Sequence, residues 1–354
     1  MRVIVGMSGG VDSAVSAALL VQQGQTVEAV FMKNWQDDDQ KFCTAEQDYA
    51  DVRAVCEQIG IPYFTYNFEK EYWEHVFQLF LDAFQKGYTP NPDILCNQEI
   101  KFNFFLKKAL KSGADKIATG HYAQIVANPD GSFDLLKGAD TNKDQSYFLC
   151  RLTQAMLAKT IFPIGHLAKS EVRRIAAEQN LKVKDKKDST GICFVGERDF
   201  RDFLKQFIPA TAGDIIDLNG KKVGTHTGSM YYTIGQRKGL NIGGPGEPWF
   251  VCDKDVKANT ITVCQGENHP ALLKKTVITE GFHFINKPIA VGFVGAAKIR
   301  YRQMDQACIL QKIDSDGNYH FEFTDPQRAV TLGQELVLYA GDICLGGGMI
   351  IGSI

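Results

Sequence analysis

No stretch of this 354-residue chain is apolar for the roughly 18 to 20 residues that a membrane-spanning helix needs, so no membrane partner is expected. Cys-x-x-Cys is missing, and so is any Cys/His cluster at zinc spacing, so a structural metal is not expected. The nine cysteines are odd in number and scattered, which excludes a secreted disulfide framework and points to a reducing cytoplasm. No leader is expected before Met1-Arg2-Val3-Ile4-Val5-Gly6, which runs straight into fold-forming sequence. A large charge of either sign is also lacking. At a net −2, any RNA surface must be a local basic patch. What remains is the profile of a soluble globular protein, 44% hydrophobic and 23% charged, long enough for two or three domains.

Two textures divide the chain. Up to about Phe207, short apolar runs alternate with helical periodicity. Val3–Val5, Val27–Met32, Tyr63–Phe68 and Lys116–Ile125 read as strands. Helices are expected over Asp12–Gln23, from Thr44 with capping-box spacing to Gln47, around Trp73–Phe84, over Cys96–Lys111, and over Gln154–Lys159 and Ser170–Gln179. The helix around Trp73 is expected to bury Trp73, Val76, Phe77, Phe80, Leu81 and Phe84. Such alternation predicts an α/β fold, a parallel sheet covered on both faces.

After Pro209 the runs shorten and turn signals multiply, as at Asn219-Gly220 and Asp314-Ser315-Asp316-Gly317. Ile261–Cys264, Ala290–Val294, Tyr319–Phe323 and Glu335–Tyr339 read as strands of an all-β second half. The expected domains are 1–207, 208–276 and 277–354, the last barrel-like.

Gly6-Met7-Ser8-Gly9-Gly10-Val11-Asp12-Ser13 follows the first strand and opens the first helix. Glycines allow a tight turn that brings N–H groups against an anion, and the helix N-terminus adds partial positive charge. Ser8 and Ser13 offer hydroxyl donors; Asp12 could hold Mg²⁺ or fix the turn. The Walker A lysine and the Gly-x-Gly-x-x-Gly fingerprint are both missing. The run resembles the Ser-Gly-Gly-x-Asp-Ser loop of the PP-loop ATP pyrophosphatases, which implies ATP cleavage between the α- and β-phosphates. Members of that superfamily activate carbonyls for ammonia, amino acids or sulfide, and the loop does not choose among them.

Two cysteines do choose. Cys96, in Asn91-Pro92-Asp93-Ile94-Leu95-Cys96-Asn97, is expected at a helix N-terminus, where its thiolate would be stabilised. Cys193 follows the Lys182, Lys184, Lys186, Lys187 cluster within Ser189-Thr190-Gly191-Ile192-Cys193-Phe194. It reads equally as a thiol on an electropositive loop or as a small apolar residue on a strand. Cys43, Cys56, Cys150, Cys252, Cys264, Cys308 and Cys344 have no such settings and read as core or incidental.

These segments, with Thr119-Gly120-His121-Tyr122, Lys143-Asp144-Gln145-Ser146 and Gly235-Gln236-Arg237, resemble the bacterial tRNA-specific 2-thiouridylase family over nearly the full length. The resemblance implies 2-thiolation of the wobble uridine in tRNAs for Lys, Glu and Gln, with ATP and Mg²⁺. It implies ATP contacts at Gly6 through Ser13, Met32 and Gly120, and target-base contacts at Asn91, Pro92 and Asp93. Cys96 would be the nucleophile and Cys193 the persulfide carrier. His121, Lys143, Asp144, Gln145, Arg300, Tyr301 and Gln334 would meet tRNA. A cysteine desulfurase or a sulfur-relay protein is the implied sulfur donor.

The chemistry agrees with that implication. Uracil C2 carries no leaving group until its oxygen is adenylated, after which AMP can leave. Sulfur can then arrive in two orders. Cys96 thiolate may release sulfide from a Cys193 persulfide, or the persulfide may attack the base first; both end in a Cys96–Cys193 disulfide. Asp93 reads as a general base or orienting group, and equally as an ordinary helix N-terminal carboxylate. The basic runs Lys182–Lys187, Gln236–Lys238 and Lys298–Arg302 are candidate phosphate contacts, with Arg300 and Arg302 flanking an aromatic on an expected strand.

Overall fold

In a computed structural model of the protein, residues 1–35, 45–188 and 200–354 are described, and among them the strands form three sheets. The first is the expected parallel sheet. It comprises β1 (Arg2–Met7), β2 (Thr26–Lys33), β3 (Tyr63–Asn67), β4 (Lys116–Ala118) and β7 (Thr160–Ile161), in the order β3-β2-β1-β4-β7. Period-two alternation along β1 decides which core each residue serves. Val3, Val5 and Met7 face one side, packed with α1 (Val11–Gln22), α2 (Ala45–Ile59) and α6 (Lys169–Glu178). Ile4 faces the other, packed with helices α3 (69–85) and α4 (92–111). Covering both faces accounts for the near-continuous apolar runs of these strands.

Because β2 lies on one side of β1 and β4 on the other, the chain reverses its winding direction at β1. That switch point leaves a crevice at the carboxyl ends of the strands, where open α/β sheets bind ligands. The glycine-rich loop sits there.

Several sequence expectations need correction. Lys116–Ile125 is not one strand: it splits at Thr119–Tyr122 into β4 and β5 (Ala123–Ala127). With β6 (Phe133–Lys137), β5 forms a hairpin that joins the C-terminal sheet through β17 (Ile343–Ser353). Helix α4 begins at Pro92 rather than at Cys96, and Cys96–Phe105 is a π-helical stretch inside it. Trp73 is 40% exposed, while Val76, Phe77, Phe80, Leu81 and Phe84 are buried. A π-helical stretch at Trp73–Phe77 rotates the phase there, leaving Trp73 stacked on Trp35 at 6.0 Å. Thr44 lies outside the described residues.

Two further helices, α5 (Gln154–Ala158) and α7 (Phe200–Lys205), connect toward the β-rich half. Its first sheet runs β10 (Trp249–Asp255), β11 (Thr260–Gln265), β8 (Gly213–Asp217), β9 (Lys222–His226). The last sheet closes on itself: β12 (Leu273–Phe284) pairs with both β15 (Tyr319–Arg328) and β17, around β13 (Val294–Lys298), β14 (Gln306–Ile313) and β16 (Glu335–Ala340). The resulting barrel has no open edge at that seam. Of Ala290–Val294, expected to be strand, only Val294 is, as the start of β13, with a turn at Val291–Gly292, and Arg300–Arg302 follows β13 as a turn rather than lying on a strand.

Candidate nucleotide and tRNA site

Gly9 adopts φ +77°, and a Cβ on it would fall 2.7 Å from the Asp48 carbonyl oxygen, so glycine is required there. Gly10 caps α1 without a side-chain hydrogen bond, which leaves the first-turn N–H groups to an anion. Ser8 is exposed, but Ser13 is only 3% exposed. The Ser13 hydroxyl donates to the Gly10 carbonyl at 3.0 Å and accepts from the Ser8 N–H at 3.2 Å. Ser13 therefore braces the loop, against the expectation that it serves as a second outward donor.

The other expected nucleotide residues converge on this loop. Gly120 packs so closely that a Cβ would come 2.8 Å from the Asp12 carbonyl carbon and the Ser13 nitrogen. Met32 ends β2 beside Gly6, its methyl 3.2 Å from where a Gly6 Cβ would stand.

Sequence reading missed what holds Asp12. Its carboxylate accepts from the Lys169 ammonium at 2.7 and 2.9 Å and from the Tyr122 hydroxyl at 2.7 Å. Lys169 also pairs with Asp188 at 2.7 Å, and Asp188 pairs with Lys143 at 2.7 Å and Arg173 at 2.8 Å. Burial alone would raise the Asp188 carboxyl; hydrogen bonds from Lys143 and Lys169 prevail and hold it at about 2. Lys186 is clamped to Asp48 and Asp51 of α2. Thus 186–188, the stem of the segment that carries Cys193, is anchored beside the glycine loop. Cys193 itself lies outside the described residues, as do Ser189 through Phe194.

An uncapped helix N-terminus, an exposed Ser8 hydroxyl, a carboxylate and an ammonium make a donor set that fits a magnesium-bound triphosphate. Asp12 is the residue that would meet the cation. Among the described residues no group of three or more His, Cys, Asp or Glu side chains could hold a metal unaided.

Asn91 caps α4, its side chain accepting from the Asp93 N–H at 3.1 Å, and Pro92 takes the first helical position. Asn-Pro at a helix start is a readable signal, and it moves Cys96 to the second turn. Cys96 is 0% exposed, so the dipole argument for an N-terminal thiolate does not apply to it. The β-rich half braces this segment: the Gln334 side chain donates to the Thr89 carbonyl at 2.6 Å, and the Thr89 N–H donates to the Leu332 carbonyl at 2.8 Å.

Several residues expected to meet tRNA are instead directed inward. Asp144 is 6% exposed; it accepts from the Gly138 and Ser146 N–H groups and pairs with Lys298 at 3.3 Å. The Gln145 side chain accepts from the Tyr122 N–H at 2.9 Å. His121 is buried between Phe102 and Phe162, its Nδ1 2.7 Å from the Thr119 hydroxyl. Burial, helped by the Lys101 charge, pushes its pKa well below the ordinary value.

Arg300 and Arg302 are exposed, while Lys298 is spent on Asp144 and Asp305 and Lys186 on α2. The basic runs are therefore thinner than their residue counts suggest. Burial, and after it the charge of neighbouring Arg328, lowers the Arg300 pKa. Tyr301 lies half-buried against Phe148, ring centroids 4.2 Å apart. Of the incidental cysteines, Cys43 lies outside the described residues; burial pushes the Cys56 thiol to about 11 and those of the partly buried Cys252 and the buried Cys308 and Cys344 to about 12.

Three family models match in series: a tRNA methyl transferase HUP domain over 1–197, a tRNA methyl transferase PRC-barrel domain over 201–265, and an aminomethyltransferase β-barrel domain over 274–350. The chain is 55% identical over 351 residues to the tRNA-specific 2-thiouridylase MnmA of Staphylococcus carnosus (strain TM300), covering 99% of this chain and 95% of that one. It is 54% identical over 354 residues to the same-named protein of Staphylococcus aureus (strain Newman), again covering 99% and 95%. Among solved structures, the U34-tRNA thiolase NcsA from Methanococcus maripaludis is similar at TM-score 0.36 and 19% identity, covering 58% of this chain and 64% of that one.

Proposed function

The chain belongs to the tRNA-specific 2-thiouridylase family, and on that premise we propose that it thiolates C2 of the wobble uridine in tRNAs for Lys, Glu and Gln, consuming ATP. As a member it is a tRNA-uridine 2-sulfurtransferase. The loop from Gly6 to Ser13 grips the pyrophosphate, and Asp12 would hold the Mg²⁺ that accompanies it. The uracil O2 displaces pyrophosphate from ATP, and the resulting adenylate makes AMP the later leaving group.

Sulfur enters as a Cys193 persulfide loaded by a cysteine desulfurase or relay protein. Attack of the Cys96 thiolate on the inner sulfur gives the Cys96–Cys193 disulfide and hydrosulfide, which adds to C2 and expels AMP. In the other order the terminal sulfur adds to C2 first, and Cys96 then cleaves the S–S bond. Both balance, and both consume one persulfide and leave one disulfide for an external reductant. Asn91, Pro92 and Asp93 line the base, with Asp93 acting as general base or orienting Cys96. A wobble base is single-stranded in its loop and splays out at modest cost.

The observation that supports this reading most is the Asp12–Lys169–Asp188 chain of ion pairs, which ties the phosphate loop to the stem of the Cys193 segment. The test is AMP formation with tRNA, with and without a persulfide donor, followed by mass spectrometry of the nucleosides. AMP and 2-thiouridine in the complete mixture are expected. Turnover on ammonia, or AMP without thiolated product when donor is present, would reject the reading.

A further inference from the structure

Asn97 immediately follows Cys96 and lies four residues after Asp93 on α4, which places it near the helix face that carries Asp93. It is 3% exposed. Its Nδ2 donates to the Phe148 carbonyl at 3.1 Å. A carbonyl only accepts, so this bond fixes the orientation of the amide; the flipped form would set oxygen against oxygen. Oδ1 is then left buried with no hydrogen-bond partner. Orphaned buried acceptors are rare and costly, and they ask for a reason. The same segment carries a second one, the Thr89 hydroxyl, two residues before Asn91. Phe148, whose backbone holds Asn97, packs its ring against that of Tyr301, tilted by 42°. An acceptor, a carboxylate and an aromatic face thus gather around one turn beside the cysteine.

We infer that Asn97 reads the Watson–Crick edge of the target base, its Oδ1 accepting the N3–H of uracil; this rests on the uridine-thiolating reading above. N3–H is the only donor on that edge of uracil, flanked by the O2 and O4 acceptors. Cytosine presents an acceptor at N3, so Oδ1 would oppose it lone pair to lone pair. One acceptor with a locked orientation therefore selects uridine and holds C2, the neighbour of N3, in register with Cys96. The amide holds no proton that it could give or take, so its role is specificity and positioning.

The test uses full-length tRNA carrying uridine, 3-methyluridine or cytidine at the target position, with binding measured by fluorescence anisotropy. The wild-type protein should prefer uridine over either analogue by about 10- to 100-fold, as for a buried acceptor left unpaired. In Asn97→Ala both ratios should fall toward one, with pyrophosphate affinity unchanged. Ratios that persist in Asn97→Ala overturn the inference and leave a buried water as the partner of Oδ1. If Asn97→Ala does not fold, the wild-type protein decides: equal affinity for tRNA carrying uridine and tRNA carrying 3-methyluridine overturns the inference. Failure of the wild-type protein to thiolate uridine would instead reject the reading on which this rests.

Discussion

The ammonium of Lys169 lies 2.7 Å from the carboxylate of Asp12, although 157 positions separate them in the chain. The contact pairs the charge of Asp12 and sets a cation at the mouth of an uncapped helix. On the proposed reading, a magnesium-bound triphosphate would offer the two side chains opposite partners, the cation for Asp12 and a phosphate oxygen for Lys169.

Asp12→Ala should therefore abolish AMP release while leaving tRNA affinity within about a few-fold, because the partners of this carboxylate are Lys169 and Tyr122. Lys169→Met should weaken pyrophosphate binding by about tenfold or more, the range for one charge-assisted hydrogen bond. Calorimetry with inorganic pyrophosphate and an AMP assay check the two. Normal turnover in Asp12→Ala would move the nucleotide site elsewhere.

Arg300 is exposed, and one of its guanidinium nitrogens donates to the Arg328 carbonyl at 3.5 Å, so two arginines stand together on the β-rich half where a phosphate could be met. Arg300→Ala should weaken tRNA binding and reduce the slope of log affinity against log salt by up to about one unit. Filter binding across a salt series measures it. An unchanged slope removes Arg300 from the phosphate contacts.

His121 makes stability depend on pH. Its buried ring stays neutral in the fold, whereas the unfolded chain takes up that proton below about pH 6.5. The folded pKa is depressed, so the stabilisation is present above about 6.5 and is lost as pH falls. The slope is at most about 1.4 kcal/mol per pH unit for one proton. Urea unfolding between pH 7 and 5 should show a steeper loss in the wild type than in His121→Gln. Equal slopes would mean that the ring titrates in the fold as it does in the unfolded chain.

Much of this was legible in the residue order, for physical reasons that differ by element. The alternation of β1 and the glycines after it act locally, so the strand, the loop and α1 could be read directly. Asn91-Pro92 is an equally local signal, and passing over it put the start of α4 at Cys96. Lys116–Ile125 could not be divided by periodicity, because Gly120 leaves the parallel sheet only to pack on the backbone of Asp12 and Ser13. Lys169 opens an amphipathic helix like many surface lysines, and only the fold brings it to Asp12. The inward turn of Asp144 and Gln145 was hidden for the same reason: their partners lie on the β5–β6 hairpin, the 119–122 crossing and the barrel.

The paired thiols separate sulfur transfer from every other use of activated uridine. A disulfide needs Cα atoms within about 7 Å, and Cys96 is 0% exposed on the second turn of α4. The reaction therefore requires a state in which the segment after Asp188 delivers Cys193 to that buried position. Asp188, held by Lys143, Lys169 and Arg173, anchors the chain just before that segment. Cys96→Ser should adenylate tRNA yet form no 2-thiouridine, since a serine hydroxyl cannot usefully take sulfur from a persulfide. Cys193→Ser should also adenylate but accept no sulfur from a desulfurase. Added free sulfide should restore some product to Cys193→Ser, because it bypasses the carrier and needs only the activated base. Nucleoside mass spectrometry reads all three outcomes. Near wild-type product from either single variant with a protein persulfide donor would rule out the two-cysteine route. A Cys96–Cys193 disulfide trapped after one turnover without reductant would place both thiols on it.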